Sequence, residues 1–384
     1  AFAWSYTIGQ IPGGALLDRF GTRAIYASAI AIWSVFTFLQ GFIGLIAGLP
    51  VVASLFAMRF LVGVAEAPSF PGNARIVASW FPGSERGTAS AIFNSAQYFS
   101  LVAFAPLMGW LVHDFGWRSV FYAMGGFGVA AALLFYRFIQ SPVRHGLINR
   151  AELDYIEQGG GVVRMEEAGK GPATFTWTNV RQLLTSRMLL GVYLGQYAIN
   201  TLTYFFVTWF PIYLVKDRGL SILQAGFAAA APAIFGFIGG VLGGVLSDRL
   251  LARTGNLTLA RKLPLLIGMI LATSIILCVF IDQEWLIVLT MSVAFFGKGV
   301  ASLGWAVVSD TSPKELAGLT GGVFNTFGNS AGIITPIAIG FLVQASGSFD
   351  TALIYVGAHC LLTIFAYFVI VGRIERLELK QVHA

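Results

Sequence analysis

Gly13-Gly14-Ala15-Leu16-Leu17-Asp18-Arg19 recurs as Gly243-Gly244-Val245-Leu246-Ser247-Asp248-Arg249, 230 positions later. The register persists. Gly87 through Phe93-Asn94 matches Gly318 through Phe324-Asn325 at a spacing of 231, and Pro106 matches Pro336 at 230. Matches that keep one spacing mark an internal repeat. The chain is therefore read as two halves of like topology, paired around a pseudo-two-fold axis along a membrane normal.

The membrane follows from composition. Hydrophobic residues make up 57% of the chain and charged residues 11%, with a mean hydropathy of +0.76. A soluble chain of 384 residues needs more surface charge than that. Glycine (45) and phenylalanine (33) are abundant, as expected where helices pack closely in lipid. The fold class is thus an all-α polytopic membrane protein. Apolar runs predict eleven helices, at 1–17, 24–47, 51–81, 88–112, 118–139, 188–214, 220–247, 263–281, 285–308, 315–345 and 350–372. The polar stretch Gln140 to Arg187 carries Glu152, Asp154, Glu157, Arg164, Glu166, Glu167, Lys170 and three consecutive glycines. Three regions follow: a bundle at 1–139, a linker at 140–187 with room for a short amphipathic helix, and a bundle at 188–384. More residues precede Gly244 in its half than precede Gly14 in its own. By the repeat, one helix of roughly 40 residues with its lead-in is expected ahead of Ala1, for twelve helices in all, six per half.

Of the 24 Lys and Arg residues, Arg118, Lys216 and Arg218 fall on one side of the membrane and Arg59 and Lys298 within it. All the others, Lys170 and Lys380 included, fall on the side of Asp18-Arg19. That side reads as cytoplasmic and, with the expected helix in place, holds both termini. The same bias explains the pI near 9.4 without nucleic acid. Cys278 and Cys360 lie in separate apolar runs, and His113, His145, His359 and His383 are scattered, so no metal site is expected. No Walker loop and no catalytic triad appear, so neither ATP drive nor enzymatic chemistry is expected.

The charges within the apolar runs carry the functional reading. Met58-Arg59-Phe60-Leu61-Val62-Gly63-Val64-Ala65-Glu66-Ala67-Pro68-Ser69-Phe70-Pro71 puts Arg59 and Glu66 on one helix face, about 10 Å apart along the axis. Each charge in hydrocarbon costs at least ~2.5–3.5 kcal/mol, which is tolerated beside a wet cavity, a partner charge or a substrate. Glu66 is the one carboxylate read as deep in the bilayer. Desolvation disfavours its charged form, so it suits a group that takes up and releases a proton. Lys298 lies roughly 20 Å into its helix, too deep to snorkel easily, at a depth equivalent to Glu66 on the opposite half. A midplane cation suits an anionic substrate; a permanent pairing with Glu66 is the alternative. A polyol needs neutral hydrogen-bonding groups, and Tyr6, Gln97, Gln196, Asn200, Tyr204, Thr208, Ser302, Trp305 and Asn325 are the candidates in apolar helices. Asp18-Arg19 and Asp248-Arg249 read as latches between the bundles, each carboxylate near a neighbouring helix N-terminus. Pro68, Pro71, Pro211 and Pro232 mark expected breaks in helices.

Gly14 to Arg23 resembles the signature loop between helices 2 and 3 of the major facilitator superfamily, and Arg59-x-x-x-Gly63 resembles the helix-4 motif of its proton-coupled members. Gln10 to Gly14, Glu66 to Pro71, Ser79 to Pro82 and Gly321 to Asn325 resemble the anion:cation symporter family. Phe93 to Tyr98, Tyr204-Phe205-Phe206 and Phe295 to Gly299 are similar to bacterial hexarate (glucarate/galactarate) transporters; galactonate symporters have a neutral residue at Lys298. The resemblance implies the major facilitator fold and proton symport in a bacterial inner membrane, by a monomer that needs no cofactor beyond the proton gradient. It implies Glu66 as a proton carrier; Arg59, nearer the outer surface, is read as tuning Glu66, with a third substrate-binding cation as the alternative. It further implies Tyr6, Gln97, Trp305 and Asn325 as residues facing substrate, and a helix-1 Asp and Arg that this chain does not contain. The substrate expected is a sugar diacid, with Lys298 meeting one carboxylate. A monoacid such as galactonate or a hexuronate, or another organic anion, is the alternative.

Overall fold

The computed structural model describes residues 1–44, 50–168 and 176–379. Lys170, Lys380, the last positions of the helix expected at 24–47 and the side chain of Pro106 lie outside the described residues. The described elements are helical. The first half comprises α1 (Phe2–Phe20), α2 (Thr22–Gln40), α3 (Val51–Glu66), α4 (Ser69–Trp80), α5 (Arg86–Phe115) and α6 (Trp117–Phe138). Short helices α7 (Arg150–Gln158), α8 (Met165–Ala168) and α9 (Trp177–Thr185) follow. The second half comprises α10 (Arg187–Tyr204), α11 (Phe210–Lys216), α12 (Ile222–Thr254), α13 (Leu257–Ala272), α14 (Glu284–Val300), α15 (Gly304–Thr311), α16 (Ala317–Ser346) and α17 (Asp350–Phe365).

Among the described residues, nine helical segments are long and apolar enough to cross a bilayer. The helices α1 and α5, of 19 and 30 residues, pack among them. Helices satisfy every backbone group internally, which is what lipid demands. Large apolar side chains such as Phe127, Leu133, Phe227, Phe280 and Phe341 remain well exposed, as a lipid-facing surface requires. Repeat-related glycines close matching corners. Gly116 (φ 80°) turns α5 into α6, and Gly347 (φ 72°) ends α16; both adopt a backbone that a side chain would strain.

Two apolar runs that read as single helices are each interrupted, near repeat-equivalent positions. The first breaks at Ala67–Pro68, where Pro68 cannot donate to the helix ladder. The second breaks at 301–303, which no proline signals. There Gly297 and Gly299 bring the α14 backbone against α13 at Gly268 and α12 at Gly236. Pro211 follows a π-helical turn at Phe205–Trp209, whereas Pro232 sits inside α12 without breaking it. Between the halves, α1 packs along α16 and α5 along α12, with α4 against α15 and α16. These crossings gather at the end of the molecule that carries most of the basic residues.

Candidate functional site

A cavity of about 110 Å³ lies between the halves. The first half lines it with Tyr6 of α1, Phe70 of α4, and Asn94 and Gln97 of α5. The second lines it with Gln196, Ile199, Asn200, Thr203 and Tyr204 of α10, Lys298 of α14, Ser302 and Gly304, Trp305 of α15, and Asn325 and Asn329 of α16. Tyr6, Gln97, Gln196, Asn200, Tyr204, Lys298, Ser302, Trp305 and Asn325 thus share one wall-to-wall space, although they come from six segments of the chain. Thr208 is not among the lining residues; its hydroxyl donates to the Tyr204 carbonyl at 2.5 Å.

The polar groups of the cavity are held by one another. Gln196 Nε2 donates to Asn200 Oδ1 at 3.2 Å, and Ser302 Oγ donates to the Lys298 carbonyl at 2.8 Å. Tyr204 Oη donates to Asn329 Oδ1 at 2.9 Å, and Asn325 Nδ2 donates to Tyr6 Oη at 3.4 Å across the two halves. Glycines make the room. A methyl group on Gly328 would lie 2.9 Å from Asn200 Nδ2, and one on Gly304 would press on Gln196 and Phe324. Lys298 is buried, with its ammonium 5.2 Å from the centre of the Phe295 ring. It brings a cation to a space otherwise lined by neutral groups, the arrangement that receives an anion.

Glu66 stands apart. It ends α3 at the break, half-buried, and does not line the cavity. Its carboxylate has no hydrogen bond or ion pair among the described residues, so a pairing with Lys298 or Arg59 is not what holds it. Arg59 is exposed on α3 and does not line the cavity.

Toward the basic end the cavity is floored by rings. Trp305 stacks on Phe70 at 5.7 Å and meets Phe93 and Phe324 edge-on at 6.1 and 4.8 Å. Below this floor sit the two repeated aspartates. Asp18 accepts from the Gly318 and Leu319 amides at 2.8 and 2.7 Å. Asp248 accepts from the Gly87 and Thr88 amides at 2.9 and 2.6 Å. Each carboxylate therefore caps the N-terminus of a helix in the other half, where free amides and the helix dipole favour negative charge. Gly14 and Gly244 lie against the backbones of Gly318 and Gly87, leaving no space for a side chain at either crossing.

The cations that serve these aspartates are not their sequence neighbours. Arg19 and Arg249 are exposed. Asp18 pairs with buried Arg75 of α4, and Asp248 pairs with buried Arg261 of α13 at 3.0 Å. Arg75, Arg86, Arg261 and Asp310 complete the ion-pair clusters around these aspartates, although in the sequence each reads as an ordinary charge near a helix end. Asn94, Asn329, Phe70 and Thr203 were also missed as lining residues. Asn329 could have been found, since it stands one turn from Asn325 in an apolar helix.

Residues 1–260 match the profile of the Major Facilitator Superfamily. The chain is 56% identical to the "Probable galactarate/D-glucarate transporter GudP" of Escherichia coli (strain K12), over all of this chain and 86% of that protein. It is 58% identical to the protein of the same name from Bacillus subtilis (strain 168), over 99% of this chain and 84% of that one. A solved structure of the proton:xylose symporter XylE bound to 6-bromo-6-deoxy-D-glucose superposes with a TM-score of 0.68 at 16% identity, covering 97% of this chain and 85% of that one. At that identity the likeness is one of fold.

Proposed function

The chain belongs to the Major Facilitator Superfamily, and from that premise we propose that it is a proton-coupled symporter that imports a sugar diacid such as glucarate or galactarate by alternating access. The observation that carries the reading is the cavity between the halves, where one buried cation, Lys298, stands among neutral donors and acceptors. The names of its relatives support the substrate class.

In this reading residues 1–139 and 188–384 move as two bundles joined by 140–187. The basic side is cytoplasmic, in a bacterial inner membrane, and the protein works as a monomer. Lys298 meets one substrate carboxylate. Tyr6, Gln97, Gln196, Asn200, Tyr204, Ser302, Trp305 and Asn325 meet the hydroxyls and the carbon chain. Glu66 binds the co-transported proton, and the gradient replaces any cofactor. The Asp18 and Asp248 latches, with the Trp305 floor, hold the cytoplasmic side shut while the cavity faces outward. A substrate carboxylate replaces its water shell with Lys298 and the amides, and the proton on Glu66 removes a charge that would otherwise cross the membrane uncompensated.

The test is uptake of labelled glucarate, galactarate and galactonate into proteoliposomes, with and without an inward pH gradient. Gradient-driven accumulation of the diacids is expected. Lys298→Asn is expected to weaken glucarate at least about tenfold, since one charge-assisted contact contributes ~1.5–3 kcal/mol, and to weaken galactonate less. Equal glucarate affinity in wild type and Lys298→Asn would overturn the assignment of Lys298.

A further inference from the structure

The cavity wall formed by α10 and α16 has a fixed hydrogen-bond direction, and one side chain sets it. Asn325 and Asn329 stand one turn apart on α16, and both line the cavity. Asn329 Nδ2 lies 2.9 Å from the Asn325 backbone carbonyl, an oxygen that only accepts. The atom facing that carbonyl must be the amide nitrogen, so Asn329 Oδ1 is the atom that faces Tyr204. The Tyr204 hydroxyl then donates to it, at 2.9 Å. Asn329 Nδ2 also donates to Asn325 Oδ1 at 2.9 Å. This bond engages the Asn325 oxygen and leaves Asn325 Nδ2 on the other side, 3.4 Å from Tyr6 Oη of the opposite half.

Packing keeps the set in place. Gly328 and Gly332 are also one turn apart on α16, and α10 packs along this helix. A methyl group on Gly332 would come within 2.8 Å of Tyr204 Oη, and one on Gly328 within 2.9 Å of Asn200 Nδ2. The Tyr204 ring therefore lies close on the α16 backbone, where its hydroxyl meets Asn329.

A hydroxyl has one proton, and that of Tyr204 goes to Asn329. Toward the cavity Tyr204 offers lone pairs alone. Asn325 has its Oδ1 engaged and offers N–H. The wall thus accepts at Tyr204 and donates at Asn325. A substrate hydroxyl satisfies the first; a hydroxyl or carboxylate oxygen satisfies the second. A bare methylene at Tyr204 leaves a buried acceptor unpaired, and a carboxylate oxygen there sets lone pairs against lone pairs.

We propose that Asn329 is a specificity-determining residue: by making Tyr204 an acceptor and Asn325 a donor, it selects a hydroxylated acid over a bare one of the same length. It acts through these two neighbours, as a positioning residue. This deepens the sugar-acid reading and rests on it. Lys298 attracts a carboxylate on any chain, and the Asn329 set reads the hydroxyls that the chain carries. A site built to bond a hydroxyl rejects the analogue that lacks one, because its own polar groups are then left without partners.

The test is equilibrium binding of labelled glucarate to the purified protein in detergent, with adipate, the six-carbon diacid without hydroxyls, as competitor. Asn329→Ala is expected to weaken glucarate at least about fivefold, the contribution of one neutral hydrogen bond, and to leave adipate unchanged. The preference for glucarate then shrinks by the same factor, where a merely structural loss would weaken both acids alike. Tyr204→Phe is expected to weaken glucarate similarly. Tyr204→Phe combined with Asn329→Ala should fall short of the product of the two single losses by at least about threefold, because both substitutions break one linked set. Should Asn329→Ala not fold, the similar-sized Asn329→Leu makes the same comparison. An unchanged preference in the Asn329 variant, or losses that multiply in the double variant, would overturn the proposal. Where adipate competes too weakly to be read, the double variant decides. A wild type that binds galactonate and neither diacid would refute the diacid, and galactonate against hexanoate then judges Asn329 in the same way. A wild type that binds none of these acids would overturn both.

Discussion

The two proposed latches are built on one sequence repeat, and they are not held by the same contacts. Asp18 caps two amides of α16 and has one cation, Arg75, whose Nε donates to Thr22 Oγ1 at 2.9 Å. Arg75 Nη2 is buried without a hydrogen bond among the described residues. Asp248 caps two amides of α5 but belongs to a larger network. Arg261 binds Asp248, Ser247, Asp310 and the Gly83 carbonyl at 3.0, 2.7, 2.9 and 3.0 Å. Arg86 reaches across the halves to Asp310 at 2.9 Å and also holds the Gly160 carbonyl at 2.7 Å. The first latch crosses the halves through the two amide caps of Asp18. The second adds to its amide caps the Arg86–Asp310 pair and the Arg261–Gly83 bond, and it ties in the chain between the bundles. Repetition supplied the same carboxylate and helix end twice; divergence around them made one a clasp and the other a hub.

That asymmetry can be broken by substitution. The largest effect is expected from Arg261→Ala, which takes the cation from buried Asp248 and one of two cations from buried Asp310. Breaking a buried pair costs about 3–5 kcal/mol, so a thermal scan in detergent should place Arg261→Ala well below Arg75→Ala, which strands only Asp18. Equal losses would mean that the hub adds nothing to the clasp. Next, Asp310→Asn removes the charge that joins Arg86 to Arg261 across the halves. Cysteine labelling from the basic end should reach the cavity more readily in Asp310→Asn than in Asp18→Asn; the reverse order would make the clasp the main seal. The smallest effect belongs to Glu166, whose carboxylate accepts from the Thr22 amide at 3.1 Å and caps α2 beside the clasp. Glu166→Gln should lower stability by only about 0.3–1 kcal/mol, and a larger fall would show that α8 supports the clasp as firmly as Gly160 supports the hub.

Much of this was legible in the sequence because it rests on pattern. The Gly-Gly…Asp-Arg repeat announces the two halves, and Lys298 and the polar residues stand out in apolar helices because lipid tolerates so few of them. The latch cations were not legible. Arg75, Arg86 and Arg261 look like the other bases that crowd that end of the chain's helices, and only tertiary pairing, across 57 positions for Arg75 and Asp18 and 224 for Arg86 and Asp310, tells them apart. Arg19 and Arg249 were adjacent to the aspartates in sequence, but a helix turns adjacent residues to different faces. The break after Val300 was hidden for a related reason: no proline marks it, and the close packing of Gly297 and Gly299 on α13 and α12 beside it is tertiary.

In the proposed symport, Glu66 carries the proton that drives uptake. The most direct measurement compares wild type and Glu66→Gln in proteoliposomes, reading glucarate accumulation against an inward pH gradient and glucarate exchange at equal pH. Glu66→Gln is expected still to exchange substrate but no longer to accumulate it. Gradient-driven accumulation that survives in Glu66→Gln would contradict it.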